Sequence, residues 1–284
     1  MRLLSSLPRA VPFAWYALGT LSSGQLPGVA VDPHFVVLSA RAPAGKVVVF
    51  NPKASAVEVT IQLRYGILTT DANGTPAVRL SDSTDTTSIN SAHRWITPYP
   101  KTFILNPGQS QAVRLLAKPP TKIADGEYWA RLVVHARELA PILPPRATTD
   151  STLRLGVSIE TSTILPVFFR TGQLATGIQI DTLSAHHTGD SLAIHATLTR
   201  TGNAAYIGVA HIVVRDAGGA IIADTRKRVA VYGSITPIWR LPWPPTRPLG
   251  TYRVSVVLST ERPDAPPGMI VRSPAKGRDI EVTL

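Results

Sequence analysis

Hydrophobic and polar residues alternate along several stretches of the chain, most clearly in the first half of residues 153–170. Four apolar residues there fall on one side, and polar or small residues separate them: Leu153, Leu155, Val157 and Ile159. Successive side chains of an extended strand point to opposite faces, so this two-residue period predicts a strand with one apolar face. Residues 164–169 are almost continuously apolar with one proline, which predicts that the strand leads into a stiff junction.

Similar patterns lie on both sides of this stretch. The predicted strands before it are residues 31–38, 46–50, 57–65, 111–117 and 127–136, with an irregular edge segment at 95–105. The predicted strands after it are residues 177–183, 192–200, 210–215, 220–224, 229–232, 250–258 and 278–284. Turn-forming sequences separate them, such as Asp-Ala-Asn-Gly at 71–74 and Asn-Pro-Gly at 106–108, because glycine and asparagine tolerate positive φ.

This pattern predicts an all-β protein made of two immunoglobulin-like β-sandwich domains in tandem. About seven short strands separated by frequent turns precede the junction, which is typical of such a sandwich. We place the first domain at residues 31–171 and the second at 172–284, joined near Arg170.

The N-terminus has the features of a secretory signal peptide, which we place at residues 1–30. Arg2 and Arg9 precede a modest apolar run at 11–21, and the small residues of Gly-Val-Ala at 28–30 would suit signal peptidase. A leader without structure is the alternative. The run is short and contains Pro12, so we expect no membrane span. Export to the periplasm is the corresponding expectation.

The amino-acid composition limits the kinds of site and partner that the protein can have. The chain has no cysteine, which excludes disulfides, thiolate metal sites and cysteine nucleophiles. The net charge of +11 favours acidic partners, but the basic residues are scattered. The only tight cluster, residues 226–228, lacks the interleaved aromatic residues that stack on bases. We therefore attribute the charge to solubility and expect no nucleic-acid partner.

No residue pattern indicates catalysis, so we expect neither an enzyme nor a cofactor. Nucleophile-elbow, phosphate-loop and dinucleotide motifs are absent from the sequence. His186 and His187 lack the companions of a metal site and are expected in an exposed turn, so no metal is predicted. The stretch around Trp239 and Trp243 is either a binding face or aromatic packing at the end of a sandwich.

Three motifs, taken in order, resemble the periplasmic chaperones of pilus assembly. The first is Thr-Pro at 97–98 followed by Leu-x-Pro-Gly at 105–108 and Val-Arg-Leu at 113–115. The second is Asp-Gly-Glu-Tyr-Trp-Ala-Arg-Leu at 125–132. The third is the alternating strand that ends in Val-Phe-Phe-Arg at 167–170. The resemblance covers residues 31–170; the second half is similar only in being a β-sandwich.

The resemblance implies a binding mechanism and partners. In that family the last strand of the first domain pairs with an exported subunit that lacks a strand, and Leu153, Leu155, Val157 and Ile159 occupy the matching place here. It implies a pilus-like subunit as partner and an outer-membrane usher as a possible second one.

The chain departs from the family in the cleft between the domains. There the family uses an arginine and a lysine to hold the terminal carboxylate of the subunit. The matching places read Pro-His-Phe at 33–35 and Thr-Ser-Thr-Ile at 161–164. Arg41, Arg154 and Arg170 are the candidate replacements.

Two functional hypotheses follow from the sequence. The first is a non-enzymatic periplasmic chaperone that binds an exported subunit along residues 153–159. The alternative is a secreted structural or adhesive protein of two sandwiches without a client.

Overall fold

A computed structural model describes residues 28–81, 90–139, 160–266 and 268–284. The regular secondary structure in these ranges is entirely β-strand. The strands of the first half are β1 (Ala30–Asp32), β2 (Val36–Ser39), β3 (Ala44–Phe50), β4 (Val57–Thr70), β5 (Pro76–Ser81), β6 (Ile96–Tyr99), β7 (Thr102–Leu105), β8 (Ser110–Ala117), β9 (Gly126–Glu138) and β10 (Glu160–Thr171). Those of the second half are β11 (Thr176–Thr188), β12 (Ser191–Gly202), β13 (Tyr206–Asp216), β14 (Ile221–Val231), β15 (Ser234–Ile235), β16 (Ile238–Pro242), β17 (Thr251–Ser259) and β18 (Lys276–Thr283).

The first half folds into a sandwich of two sheets. One sheet has the order β1-β3-β8-β6, and the other has the order β2-β10-β9-β4-β5, with β7 also paired to β4. Their inner faces share one apolar core. Its fully buried residues include Leu38, Val47, Val59, Leu132 and Phe169. Alternation along β4 and β8 places every second side chain in this core, as the sequence pattern predicts.

The strand predicted at residues 31–38 is in fact two strands in different sheets. β1 pairs antiparallel with β3, whereas β2 pairs parallel with β10. Pro33, after a cis peptide bond, lies where the chain crosses from one sheet to the other. Proline has no backbone N–H to donate to a ladder, so pairing stops there.

Residues 1–27 of the predicted signal peptide, which we place at 1–30, lie outside the described residues. Its last three residues lie against the first domain: Val29 is 7% exposed and Ala30 pairs with Phe50. A leader removed on export would have to be cut before Val29 to keep this packing. No helix among the described residues has the length and apolar character needed to cross a membrane.

The second half forms a separate sandwich. Its sheets have the orders β11-β12-β15, with β16 also paired to β12, and β14-β13-β17-β18. The core contains Trp239 and Trp243, and Trp243 packs edge-on against Tyr252 with ring centroids 4.8 Å apart. These tryptophans are therefore packing residues. The two sandwiches confirm the predicted fold class.

Two local predictions in this half are wrong. Residues 220–224 and 229–232 belong to one strand, β14, which continues through the basic residues 226–228 because these side chains stay exposed at the sheet edge. His186 and His187 lie within β11 instead of a turn. The turn comes two residues later, at Gly189, which has the positive φ of 60° that the turn requires.

Candidate functional site

β10 has two neighbouring strands, but they cover different lengths of it. β9 pairs with all of β10, from Glu160 to Thr171. β2 pairs only with its last part, from Val167 to Arg170. Within the described residues, positions 160–166 therefore have no strand partner on the side away from β9. An edge of this kind presents unpaired backbone N–H and C=O groups to a further strand.

The two faces of β10 have different surroundings. Leu165, Val167 and Phe169 point into the core of the first domain. The alternate residues point outward: Ile164 is 38% exposed, and Phe168 is covered by the second domain. The chain thus keeps a two-residue period through the free half of the strand, so one face of the edge is continuous with the core.

Polar groups flank the free half of β10 on the outer face of the sheet. Ser162 Oγ lies 2.9 Å from His135 Nδ1, and Glu160 Oε1 lies 3.6 Å from the same nitrogen. Arg137, also on β9, donates from Nη2 to Glu58 Oε2 on β4 at 2.5 Å. The contacts of His135 hold the start of β10 against β9, and among the described residues no strand pairs with its opposite backbone edge.

The predicted apolar row Leu153, Leu155, Val157 and Ile159 lies outside the described residues, directly before β10, and so does Arg154. Arg41 lies in the exposed segment between β2 and β3. Arg170 is at the domain junction, where its guanidinium is already bound. Its Nε donates to Glu127 Oε2 at 2.8 Å, and its Nη atoms donate to the carbonyl oxygens of Gly268 and Met269.

Glu127 is the centre of the domain junction, whereas the sequence pattern indicates only that it belongs to a strand. The side chain is 0% exposed. Its Oε1 accepts hydrogen bonds from Trp129 Nε1 at 2.9 Å and from the backbone N–H of Ala205, in the second domain, at 3.1 Å. With Arg170 it completes a buried, hydrogen-bonded ion pair. A carboxylate beside Tyr and Trp in an otherwise apolar strand was the signal that could have revealed it.

An apolar cluster surrounds this ion pair and joins the domains. It consists of Trp129, Phe168, Ala205, Ile207 and Tyr232. Trp129 and Tyr232 pack edge-on, with ring centroids 4.8 Å apart. Burial raises the pKa of Tyr232, so its hydroxyl stays protonated and neutral within the cluster.

Two further arginines stack on these rings. The guanidinium carbon of Arg131 lies 4.7 Å from the centroid of Tyr232, and that of Arg200 lies 5.5 Å from Trp129. Arg131 Nε also donates to the carbonyl of Gly66 at 3.0 Å, and Arg200 Nε donates to that of Tyr232 at 2.8 Å. These arginines hold the two domains together, as Arg170 does.

The β4–β5 hairpin forms a second connection between the domains. Its tip lies against the segment of β15 and β16. Ile238 N donates to the carbonyl of Gly74 at 3.2 Å, Thr236 N donates to Thr70 Oγ1 at 3.1 Å, and Arg240 Nη1 donates to the carbonyl of Asn73 at 3.1 Å. The predicted turn at 71–74 is confirmed, and it is also a contact between domains.

Replacing Gly74 with alanine should detach this hairpin from the second domain. Gly74 has a φ of +71°, and an added Cβ would lie 2.3 Å from the side chain of Ile238. We expect a loss of about 2–3 kcal/mol from backbone strain and the clash together. Urea unfolding measures the loss, and hydrogen exchange at Ile238 locates it.

Gly219 supplies the matched control, because it also lies in a hairpin turn with positive φ but has open space around the added Cβ. Gly219→Ala should cost only the strain, about 1 kcal/mol. Equal losses for the two variants would show that the hairpin contact adds nothing to stability.

Comparisons with known proteins give results at the level of the fold. No protein-family model matches the chain, and no curated protein matches its sequence. Among solved structures it is similar to the Escherichia coli chaperone DraB, at 15% identity and a TM-score of 0.37, over 90% of this chain and 98% of that one. It is also similar to the Salmonella enterica SafB chaperone in complex with the SafA pilin, at 17% identity and a TM-score of 0.37. That match covers 92% of this chain and 98% of the other chain. The match to the YadV chaperone has 12% identity and a TM-score of 0.42, and it covers 90% of this chain and 100% of the other chain.

Proposed function

We propose that the protein is a periplasmic chaperone that holds an exported, pilus-like subunit by β-strand addition. The subunit would pair with the free half of β10 and with residues 153–159 before it. The single observation that carries the proposal is the edge of β10 at positions 160–166, which has no strand partner among the described residues on the side away from β9. The order of the three sequence motifs supports the choice of subunit and, with it, an outer-membrane usher as a second partner.

The physical basis is the combination of a backbone ladder with apolar burial. Strand addition satisfies the unpaired backbone groups of the edge, while alternate side chains fill pockets in the partner. Full burial of an apolar side chain contributes about 1.5–3 kcal/mol, so the four residues Leu153, Leu155, Val157 and Ile159 supply roughly 6–12 kcal/mol before the costs of association. The backbone hydrogen bonds of the added strand contribute in addition to this burial.

The hydrogen bonds that Arg170 already makes at the domain junction limit its use in binding a client. Its guanidinium already has three acceptors, one of them the buried carboxylate of Glu127. Releasing it to bind a client carboxylate would leave Glu127 without its cation, at a cost of about 3–5 kcal/mol. We therefore propose that capture relies on the strand edge, with Arg170 kept for the junction.

The test is capture of a client by tagged protein in the periplasm of the host. Wild-type protein is compared with the Leu155→Asp, Val157→Asp double variant, and bound proteins are identified by mass spectrometry. The wild type should recover a small, β-rich exported protein, and the double variant should recover at least about tenfold less, because two desolvated carboxylates oppose burial.

Ile104→Asp with Leu116→Asp provides the matched control. Both residues are exposed apolar residues of the same domain, 58% and 43% exposed, and lie outside β10. This control should capture the client as the wild type does. Equal capture by the 155/157 variant would rule out the proposed strand, and an empty result with wild-type protein would favour the structural or adhesive alternative.

A further inference from the structure

We propose a second binding surface, on the second domain, for an extended acidic segment of a partner protein. The surface consists of the outer edge of β14 and the groove beside it, which we call the β14 groove. It lies outside the strand edge proposed for client binding and does not depend on that function.

Within the part of the chain that the structure describes, β14 is the outer strand of its sheet and pairs on one side only, with β13. Three successive basic residues, Arg226, Lys227 and Arg228, are exposed in the middle of this edge strand. The opposite edge strand, β18, is held against the other sheet, because Arg278 Nη1 donates to the carbonyls of Ile180 and Asp181 at 2.8 Å. The two edges of this sheet therefore differ, and β14 is the one that a further strand could join.

The β14 groove crosses the outer face of the same sheet. Its floor consists of Val209 and His211 from β13 and Val257 and Ser259 from β17. Residues 226–228 form one side and residues 261–264 the other, around a volume of about 540 Å³. Val257 is 38% exposed in this floor, so the groove combines apolar contact with charge.

The charges of the groove are only partly paired. Arg228 Nη2 lies 3.1 Å from Asp264 Oδ2, and Arg262 binds the same carboxylate at 2.7 Å. The Arg262 hydrogen bond lowers the pKa of Asp264 to about 2, so this carboxylate stays ionised. Among the described residues, neither Arg226 nor Lys227 forms an ion pair. Successive residues of a strand point to opposite faces, so Arg226 and Lys227 would offer an unpaired cation to each face of a strand added to this edge.

These features favour an acidic polypeptide over an anionic membrane surface. A lipid headgroup uses the cations but cannot use the backbone groups of the edge. A strand added to β14 would lie on the side away from Glu261 and Asp264, whereas a flat anionic surface over the groove would meet these carboxylates and be repelled. Basic residues on an edge strand discourage pairing between identical copies, and the same charges attract a strand of opposite sign.

The experiment measures binding of a synthetic Glu-Val repeat of about six residues, the usual length of a strand. Comparison peptides replace glutamate with lysine, or valine with proline, which cannot donate to a ladder. Wild-type protein should bind the Glu-Val peptide, bind both comparison peptides at least about tenfold more weakly, and lose affinity as salt rises from about 50 to 500 mM.

Arg226→Glu with Lys227→Glu should weaken binding of the Glu-Val peptide at least about tenfold. The matched control is Lys46→Glu with Arg114→Glu, an exposed pair on neighbouring strands of the first domain, with the same change in net charge. It should bind as the wild type does, and thermal unfolding checks that both variants fold. The proposal is overturned if the two variants lose affinity equally, if the proline peptide binds as well as the Glu-Val peptide, or if only vesicles of anionic lipid bind. Client capture through β10 should be unchanged in both variants.

Discussion

Replacing Glu127 with alanine should destabilise the protein by about 3–5 kcal/mol, because the change leaves a buried arginine without its counter-charge. The side chain of Arg170 is only 14% exposed, and water cannot readily replace the lost carboxylate. Trp129 Nε1 and the backbone N–H of Ala205 lose their acceptor at the same time. Urea unfolding, followed by tryptophan fluorescence, measures the loss.

Glu58→Ala is the control for this change. Glu58 also accepts a hydrogen bond from an arginine, Arg137, but that arginine side chain is 58% exposed. A solvated ion pair contributes about 0–1 kcal/mol, so this variant should remain close to the wild type. Losses of similar size in the two variants would mean that burial of the junction adds no stability.

Phe168→Ala and Phe169→Ala should each cost about 3–5 kcal/mol, but in different parts of the molecule. The two residues are adjacent on β10 and both are 0% exposed. Phe169 packs in the core of the first domain, while Phe168 packs in the cluster between the domains. Phe169→Ala should therefore lower the stability of the first domain. Phe168→Ala should uncouple the domains and separate their unfolding into two transitions.

Differential scanning calorimetry distinguishes these outcomes, since it shows one or two transitions directly. Phe50→Ala serves as the control, because Phe50 is 37% exposed and its loss creates no closed cavity. One unchanged transition in Phe168→Ala would indicate that the cluster does not couple the domains.

The sequence was informative wherever one face of a strand is buried and the other is not. The alternation in residues 57–65 and 111–117 predicted β4 and β8, because a two-residue period has no other regular explanation. Aromatic packing of Trp243 and the turn at 71–74 also agree with the structure. These features depend on local geometry, which a short stretch of sequence contains.

Features that depend on distant parts of the chain were missed. Pro33 divides a continuous apolar run between two sheets, which is decided by the positions of β3 and β10. Arg170 was a candidate for binding a client, but it already forms an ion pair with Glu127. That residue lies more than forty positions earlier in the chain. Nothing in the sequence near Asn73 or Gly74 indicates that this turn meets β16. The residues proposed to bind the client, 153–159, stay a prediction.

The contact between the β4–β5 hairpin and the second domain also constrains the order of folding. The hydroxyl groups of Thr70 and Thr236 lie 3.0 Å apart in space but 166 residues apart along the chain. Contacts between such distant residues form late, since a large loop must close first. A chain that leaves the ribosome or a secretion channel from its N-terminus exposes this hairpin before its docking site exists. The first sandwich must therefore tolerate a period with the hairpin unattached.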